Sequence, residues 1–303
     1  MNTAAKLSAY GVVLALVAGG GWATGTAVGP HPGAAGVPGG EDTGHSDTHG
    51  GTVAEAAHGK RDHEPAGLAS TRGGYTLTPT STTLTPGKTA PFTFRILGAD
   101  GAPVTAYDVE HEKRMHLIVV RRDTAGFQHI HPELGDDGTW TVPLAVGDAG
   151  VYRVFADFKP SGGEATTLGA DLFAGGDFRP AEYRPSHVAE VDGYQVHLDG
   201  DLKPGASSKV TLTVTKNGRA VTDLQPYLGA YGHLVALRGG DLAYLHVHPD
   251  GEPGDGRTAA GPVVTFFAEV PTAGTYRLFL DFQHEGKVRT AEFTVATGEG
   301  SHR

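Results

Sequence analysis

The chain has 303 residues and a formal net charge of -10, with 16 His, 46 Gly, 19 Pro and no Cys. That length suits about two domains, and the Gly and Pro content suits many short strands joined by turns. The lack of cysteine excludes disulfides, thiolate metal sites, iron–sulfur clusters, thiol catalysis and a blue-copper centre; the acidic balance argues against nucleic acid as a partner.

The first six residues carry one lysine and no acid, and an apolar stretch runs from Leu7 to about Ala23. Residues 1–28 therefore read as a signal peptide or a membrane anchor. Roughly 17 apolar residues is the short edge of a membrane span, and Gly25-Thr26-Ala27 offers small residues for cleavage. Either reading places the body outside the cytoplasm, secreted or held at the membrane by the uncleaved segment. Pro30 to Ala66 has almost no large apolar side chain, so residues 29–68 read as a disordered His/Gly/Pro-rich linker. Its His31, His45, His49, His58 and His63 form either a solvated tether or a weak metal collector.

From Tyr75 the pattern changes to short runs rich in Val, Thr, Phe and Tyr, bounded by Gly, Pro and Asp. The runs Ala90–Leu97, Met115–Arg121, Phe127–His131, Thr139–Val146, Val151–Phe158 and Ala165–Ala174 predict an antiparallel β-sandwich over residues 69–178. Phe178–Ser186, with Pro180 and Pro185, reads as an interdomain linker. The pattern then repeats over residues 187–297. Leu84-Thr-Pro-Gly87 matches Leu202-Lys-Pro-Gly205, and Tyr152-Arg-Val-Phe-Ala-Asp-Phe158 matches Tyr276-Arg-Leu-Phe-Leu-Asp-Phe282. The second copy carries about seven extra residues near Gly251–Gly261, a turn-rich segment expected to be a loop. The fold class is thus all-β: two tandem antiparallel β-sandwich domains after an N-terminal hydrophobic helix and a linker.

Each repeat holds three histidines in the pattern His-x12-His-x-His: His116, His129 and His131, then His233, His246 and His248. A strand, a turn at Arg122–Gly126 and a second strand separate the first from the pair, which makes a β-hairpin. With the turn centred on Asp123-Thr124, His116 faces His131 across the hairpin, and His129, two residues from His131, shares that face. The same construction holds in the second copy with the turn at Gly240-Asp241. Three imidazoles on one face would repel when charged and need partners when buried and neutral, so each triad is a candidate metal site. Between 115–133 and 232–250 six of nineteen positions are identical, and three of the six are the histidines.

Asp157 and Asp281 occupy matching strands. Each is a candidate fourth ligand, an acceptor for a ligand's second ring nitrogen, or a partner of Arg153 or Arg277. Glu133 and Asp250 are outside candidates, and His111 and Met115 lack counterparts in the second repeat. The isolated His187, His197, His284 and His302 read as surface residues. An extracytoplasmic, thiol-free, imidazole site favours Cu(II), then Zn(II). Its affinity is expected to fall as pH drops through about 6.5, where protons compete for the same lone pairs.

Met115-His-Leu-Ile-Val-Val-Arg-Arg with Phe127-Gln-His-Ile-His-Pro, and Gly229-Ala-Tyr-Gly-His-Leu-Val-Ala-Leu-Arg with Tyr244-Leu-His-Val-His-Pro, resemble exported actinobacterial proteins labelled heavy-metal-binding. The resemblance covers about residues 75–295. It implies an export signal and tandem Ig-like or cupredoxin-like domains, and no particular reaction. Three functions stay open: metal sequestration, tolerance or delivery at the cell envelope, with one three-His site per domain; a cell-surface adhesion or spacer module; and a cupin-like metalloenzyme. The last fits least, because a cupin's remaining His follows its His-x-His whereas here it precedes it. No Ser-His-Asp set or carboxylate pair has a supporting context, so no enzyme activity is expected.

Overall fold

The computed structural model describes residues 65–245 and 247–297. The N-terminal hydrophobic segment, nearly all of the His-rich linker, His246, the side chain of His248 and His302 lie outside the described residues. Among the described residues there are twenty strands and no α-helix, and no helix long and apolar enough to cross a membrane. All the described residues belong to one compact unit, Lys60–Arg303.

The first repeat contributes β1 (Thr71–Arg72), β2 (Tyr75–Pro79), β3 (Thr83–Leu84), β4 (Ala90–Leu97), β5 (His116–Arg121), β6 (Gln128–Ile130), β7 (Glu133–Leu134), β8 (Thr139–Leu144), β9 (Gly150–Phe158) and β10 (Thr166–Ala174). The second contributes β11 (Val188–Val191), β12 (Tyr194–Asp199), β13 (Ser207–Lys216), β14 (Arg219–Ala220), β15 (His233–Arg238), β16 (Tyr244–Leu245), β17 (Val247–Pro249), β18 (Val263–Glu269), β19 (Thr275–His284) and β20 (Lys287–Ala296). Repeat one folds as two sheets, β1-β2-β4-β8-β7 and β3-β10-β9-β5-β6. Repeat two does likewise, with β11-β12-β13-β18-β17 and β16-β15-β19-β20, and β14 added beside β13. The expected strands appear within two residues of their bounds, and Gly251–Gly261 is the expected loop, without strand.

Outer strands show the alternation that half-buried strands require. Along β12, Tyr194, Val196 and Leu198 are buried and Gln195, His197 and Asp199 exposed. The inward sets make one core per sandwich, around Phe94, Trp140 and Leu168 in the first and Tyr194, Phe266 and Phe293 in the second. In β5 the alternation disappears: all six residues are buried. Leu117 and Val119 enter the sandwich core, while Ile118 and Val120 enter a third core with Phe155, Val235, Leu237, Leu242, Tyr244 and Phe279. The two sandwiches therefore pack sheet on sheet. The Phe127 and Phe279 rings stack with centroids 4.0 Å apart. Asp123 Oδ2 in the first repeat accepts a bond from the Ala181 amide of the linker at 2.8 Å.

Candidate metal centre

The β5–β6 ladder pairs Leu117 with Ile130 and Ile118 with His129, the register expected from a turn centred on Asp123-Thr124. In the second hairpin Ala236 pairs with Leu245 and Leu237 with Tyr244, again as expected. His116 therefore lies on the Ile118–Val120 face, which is the face turned toward the other repeat. In the first repeat the backbone moves to the opposite sheet after the His-x-His motif, where Glu133–Leu134 pairs with β8. In the second it moves within the motif, since Val247, His248 and Pro249 pair with β18, which corrects the expectation that His248 stands opposite His233 in the hairpin.

His116, His129 and His131 each offer one ring nitrogen, and these three atoms lie within 4.8 Å of one another. No carboxylate joins this group among the described residues, so Asp157 and Asp281 stand outside it. His116 Nε2 is 3.0 Å from the Glu110 carbonyl oxygen. A carbonyl only accepts, so this nitrogen carries the hydrogen and Nδ1 keeps its lone pair. His129 Nδ1 is 2.8 Å from Asp281 Oδ2, with side chains 1% and 3% exposed. A carboxylate oxygen accepts, so Nδ1 carries the hydrogen, and in the neutral ring Nε2 keeps its lone pair. His116 Nδ1 and His129 Nε2 face each other at 3.1 Å; in these two neutral tautomers both would present lone pairs. His131 Nε2 is buried with no hydrogen-bond partner among the described residues. Imidazole nitrogens bound at about 2.0–2.1 Å around a tetrahedral ion stand roughly 3.3 Å apart, close to the 3.1 Å between His116 Nδ1 and His129 Nε2.

Burial pushes His116 down to about 4, against a smaller upward pull from its bond to the Glu110 carbonyl. Burial, with the neighbouring His129 and His116, pushes His131 down to about 3. Both stay neutral well below the ordinary imidazole value. The expected loss of affinity through about pH 6.5 is therefore corrected for these two ligands: protons begin to compete for them only at lower pH.

His233 of the second repeat joins the first cluster. The His233 ring stacks on His116 with centroids 5.6 Å apart and planes 9° apart, and lies 5.0 Å from His129. Among the described residues the buried His233 Nδ1 has no partner, and burial, with His129 and His116, holds its pKa well below the ordinary value. The expectation that each triad is local to its own hairpin is amended accordingly. His111, exposed and without a counterpart, still places its ring 5.5 Å from His233 and 6.2 Å from His116.

Asp157 sits in register with His116, and Asp281 with His233. Asp157 Oδ1 accepts from Thr167 Oγ1 at 2.9 Å, and Asp281 Oδ1 from Thr290 Oγ1 at 2.6 Å. Each carboxylate also reaches the other repeat's hairpin, Asp281 to His129 and Asp157 to Tyr244. Arg153 pairs with Asp171 and Arg277 with Glu292. Glu133 and Asp250 are exposed. Met115 is buried in the first core. Of the isolated histidines, His187 and His197 are exposed as expected. His284 is not: it is 8% exposed and lies between the Tyr194 hydroxyl at 2.7 Å and Asp223 Oδ1 at 3.0 Å. It closes the end of β19, where a buried polar ring has found two partners.

No curated protein matches the chain. Among solved structures it is similar to a Salmonella alpha-2-macroglobulin (12% identity, 78% of this chain and 15% of that one, TM-score 0.24). It is also similar to the Escherichia coli adhesin FdeC (21% identity, 78% and 66%, TM-score 0.24) and to invasin, a bacterial integrin-binding protein (12% identity, 73% and 39%, TM-score 0.20). The chain spans less than two thirds of each of these, and TM-scores this low lend the likeness no weight for function. The model of a domain of unknown function, DUF8832, matches residues 69–172 and again 189–299, once over each sandwich. The chain belongs to the DUF8832 family and carries its domain twice.

Proposed function

We propose that this is an extracytoplasmic protein of the cell envelope that holds a transition-metal ion, Cu(II) or Zn(II), on His116, His129 and His131, for sequestration, tolerance or delivery. The observation that carries this reading is the set of three converging ring nitrogens. Two face each other at 3.1 Å, and among the described residues the buried His131 Nε2 has no hydrogen-bond partner. A proton between His116 and His129 would satisfy two of them; a cation satisfies all three. Imidazole ligation suits copper and zinc, and the affinity order favours copper. The N-terminal pattern of residues 1–28 supports export.

The test is elemental analysis and calorimetric titration of the full chain, purified without a polyhistidine tag. The wild type should take up Cu(II) or Zn(II) to saturation, and H129A/H131A should lose one equivalent. The triad His233, His246 and His248 is expected to hold an ion by the same sequence pattern, and H246A/H248A removes it. A wild type with no saturable binding ends the metal reading. The second reading, a non-catalytic adhesion or spacer module of the cell surface, then stands in front. Its support is the architecture itself, two sandwiches joined through a third core.

A further inference from the structure

We infer that Asp281, from the second repeat, is the positioning residue of the first repeat's metal site: it fixes the His129 tautomer that turns a lone pair toward the ion. This rests on the metal reading above and deepens it. Asp281 lies in β19, between β15 and β20, in register with His233 on one side and Thr290 on the other. Its Oδ1 is held by Thr290 Oγ1 at 2.6 Å, which leaves Oδ2 aimed at His129 Nδ1, 2.8 Å away. The backbone and one carboxylate oxygen are thus set by the second repeat, and the other oxygen sets a ring in the first. A carboxylate behind a ligating imidazole fixes its tautomer and orientation and raises its basicity.

Removing the carboxylate has a specific consequence. Without an acceptor at Nδ1, the His129 proton moves to Nε2, which lies 3.1 Å from the lone pair of His116 Nδ1. That N–H then donates to His116, and one hydrogen bond consumes two of the three lone pairs the ion needs. The site closes without losing any ligand residue. It follows that the ligands come from one repeat and their orientation from the other, so the first cluster is competent only while the two sandwiches are docked.

The test uses the full chain as wild type, D281A and D281N. In metal-free protein, the imidazole 15N shifts of His129 should report the Nδ1-protonated tautomer in the wild type and the Nε2-protonated tautomer in D281A. The amide oxygen introduced by D281N still accepts, so that variant should keep the wild-type tautomer. Cu(II) affinity, measured by competition with a chelator, should fall about 10–100-fold in D281A, with D281N between the two. D281A with the wild-type tautomer, or with wild-type Cu(II) affinity, overturns the inference and leaves the metal reading intact. If the wild type binds no Cu(II) or Zn(II), the metal reading fails, and the tautomer shifts still decide the role of Asp281. If D281A does not fold, the wild-type spectrum carries the test: His129 protonated at Nε2 rather than Nδ1 in metal-free protein overturns the inference.

Discussion

Arg153 and Arg277 occupy matching positions in the two repeats, and both are buried, at 6% and 5% exposure. Their surroundings differ. Arg153 donates to Asp171 and reaches the Gly67 and Leu68 carbonyls, tying down the chain as it enters the first sandwich. Arg277 donates to Glu292, the Phe293 carbonyl and Thr294, and its guanidinium lies 3.8 Å from the Tyr183 ring of the linker that enters the second. Gly169 and Glu292 explain the difference, since they pair with the matching residues Phe155 and Phe279. A Cβ at Gly169 would collide with the Gly67 carbonyl oxygen, so the incoming segment lies flat there; at Glu292 a side chain takes that place and becomes the counter-ion. A duplicated buried charge must be paired in both copies, but the pairing follows whichever segment enters each repeat. The histidine region has diverged in the same way. Among the described side chains, the first repeat supplies the three converging nitrogens and the second supplies Asp281 and the covering ring of His233.

If the repeats are different parts of one unit, damage in the second should reach the first. Phe279 is fully buried in the third core and stacks on Phe127 of the first repeat. Phe279→Ala should cost about 3–5 kcal/mol, the usual range for truncating a buried Phe. It should also lower hydrogen-exchange protection at Val119 and Val120 of β5, in a single unfolding transition. Unchanged protection in β5 would mean that the sandwiches are independent and merely touch.

The next effect is pH dependence, and it belongs to the first repeat's cluster. His116 and His131 are held near 4 and 3 against an ordinary 6.5, mainly by burial. Between those values the unfolded chain binds more protons than the folded one, so stability rises with pH. Their contribution is complete above about pH 6.5 and is lost as pH falls toward 4, at up to about 1.4 kcal/mol per pH unit for each group. Denaturant unfolding of chelator-treated protein should show that decline between about pH 7 and pH 5. His131→Gln should flatten it. A wild type equally stable across the window would show that the cluster is more solvated than its geometry indicates.

The hairpin register was legible in the sequence because two diverged copies of one motif constrain each other. Turn positions, strand bounds and the shared face of His116 and His129 all follow from alternation and spacing. The docking of the repeats was less visible, although a signal exists. Leu117-Ile-Val-Val120 and Leu234-Val-Ala-Leu237 are continuous apolar runs, the pattern of strands buried on both faces. What periodicity cannot supply is which distant residues such a face meets. The bond between His129 and Asp281 joins positions 152 apart in sequence, and only the packing of one sheet on the other creates it. His284 was misread for a related reason: its partners, Tyr194 and Asp223, are 90 and 61 residues away, so an isolated histidine in sequence is not isolated in the fold.

The smallest effect returns to the two arginines. The Glu292 side chain is 40% exposed, so its attraction to Arg277 is screened by water. Arg277 also keeps acceptors at the Phe293 carbonyl, Thr294 Oγ1 and Thr124 Oγ1, the last in the first repeat's hairpin turn. Glu292→Ala therefore leaves the guanidinium hydrogen-bonded and should cost under about 1 kcal/mol, as exposed ion pairs do. Asp171 is the contrasting case: its carboxylate receives both Arg122 and Arg153 and is 29% exposed. Asp171→Ala removes the carboxylate paired with Arg153 and unpairs Arg122 from it as well, so it should destabilise more than Glu292→Ala in paired denaturant titrations. Equal costs would mean that the bonds from Arg153 to the Gly67 and Leu68 carbonyls satisfy that charge as fully as Arg277's remaining acceptors do. The two repeats would then differ in the geometry of their buried arginines and not in their energetics.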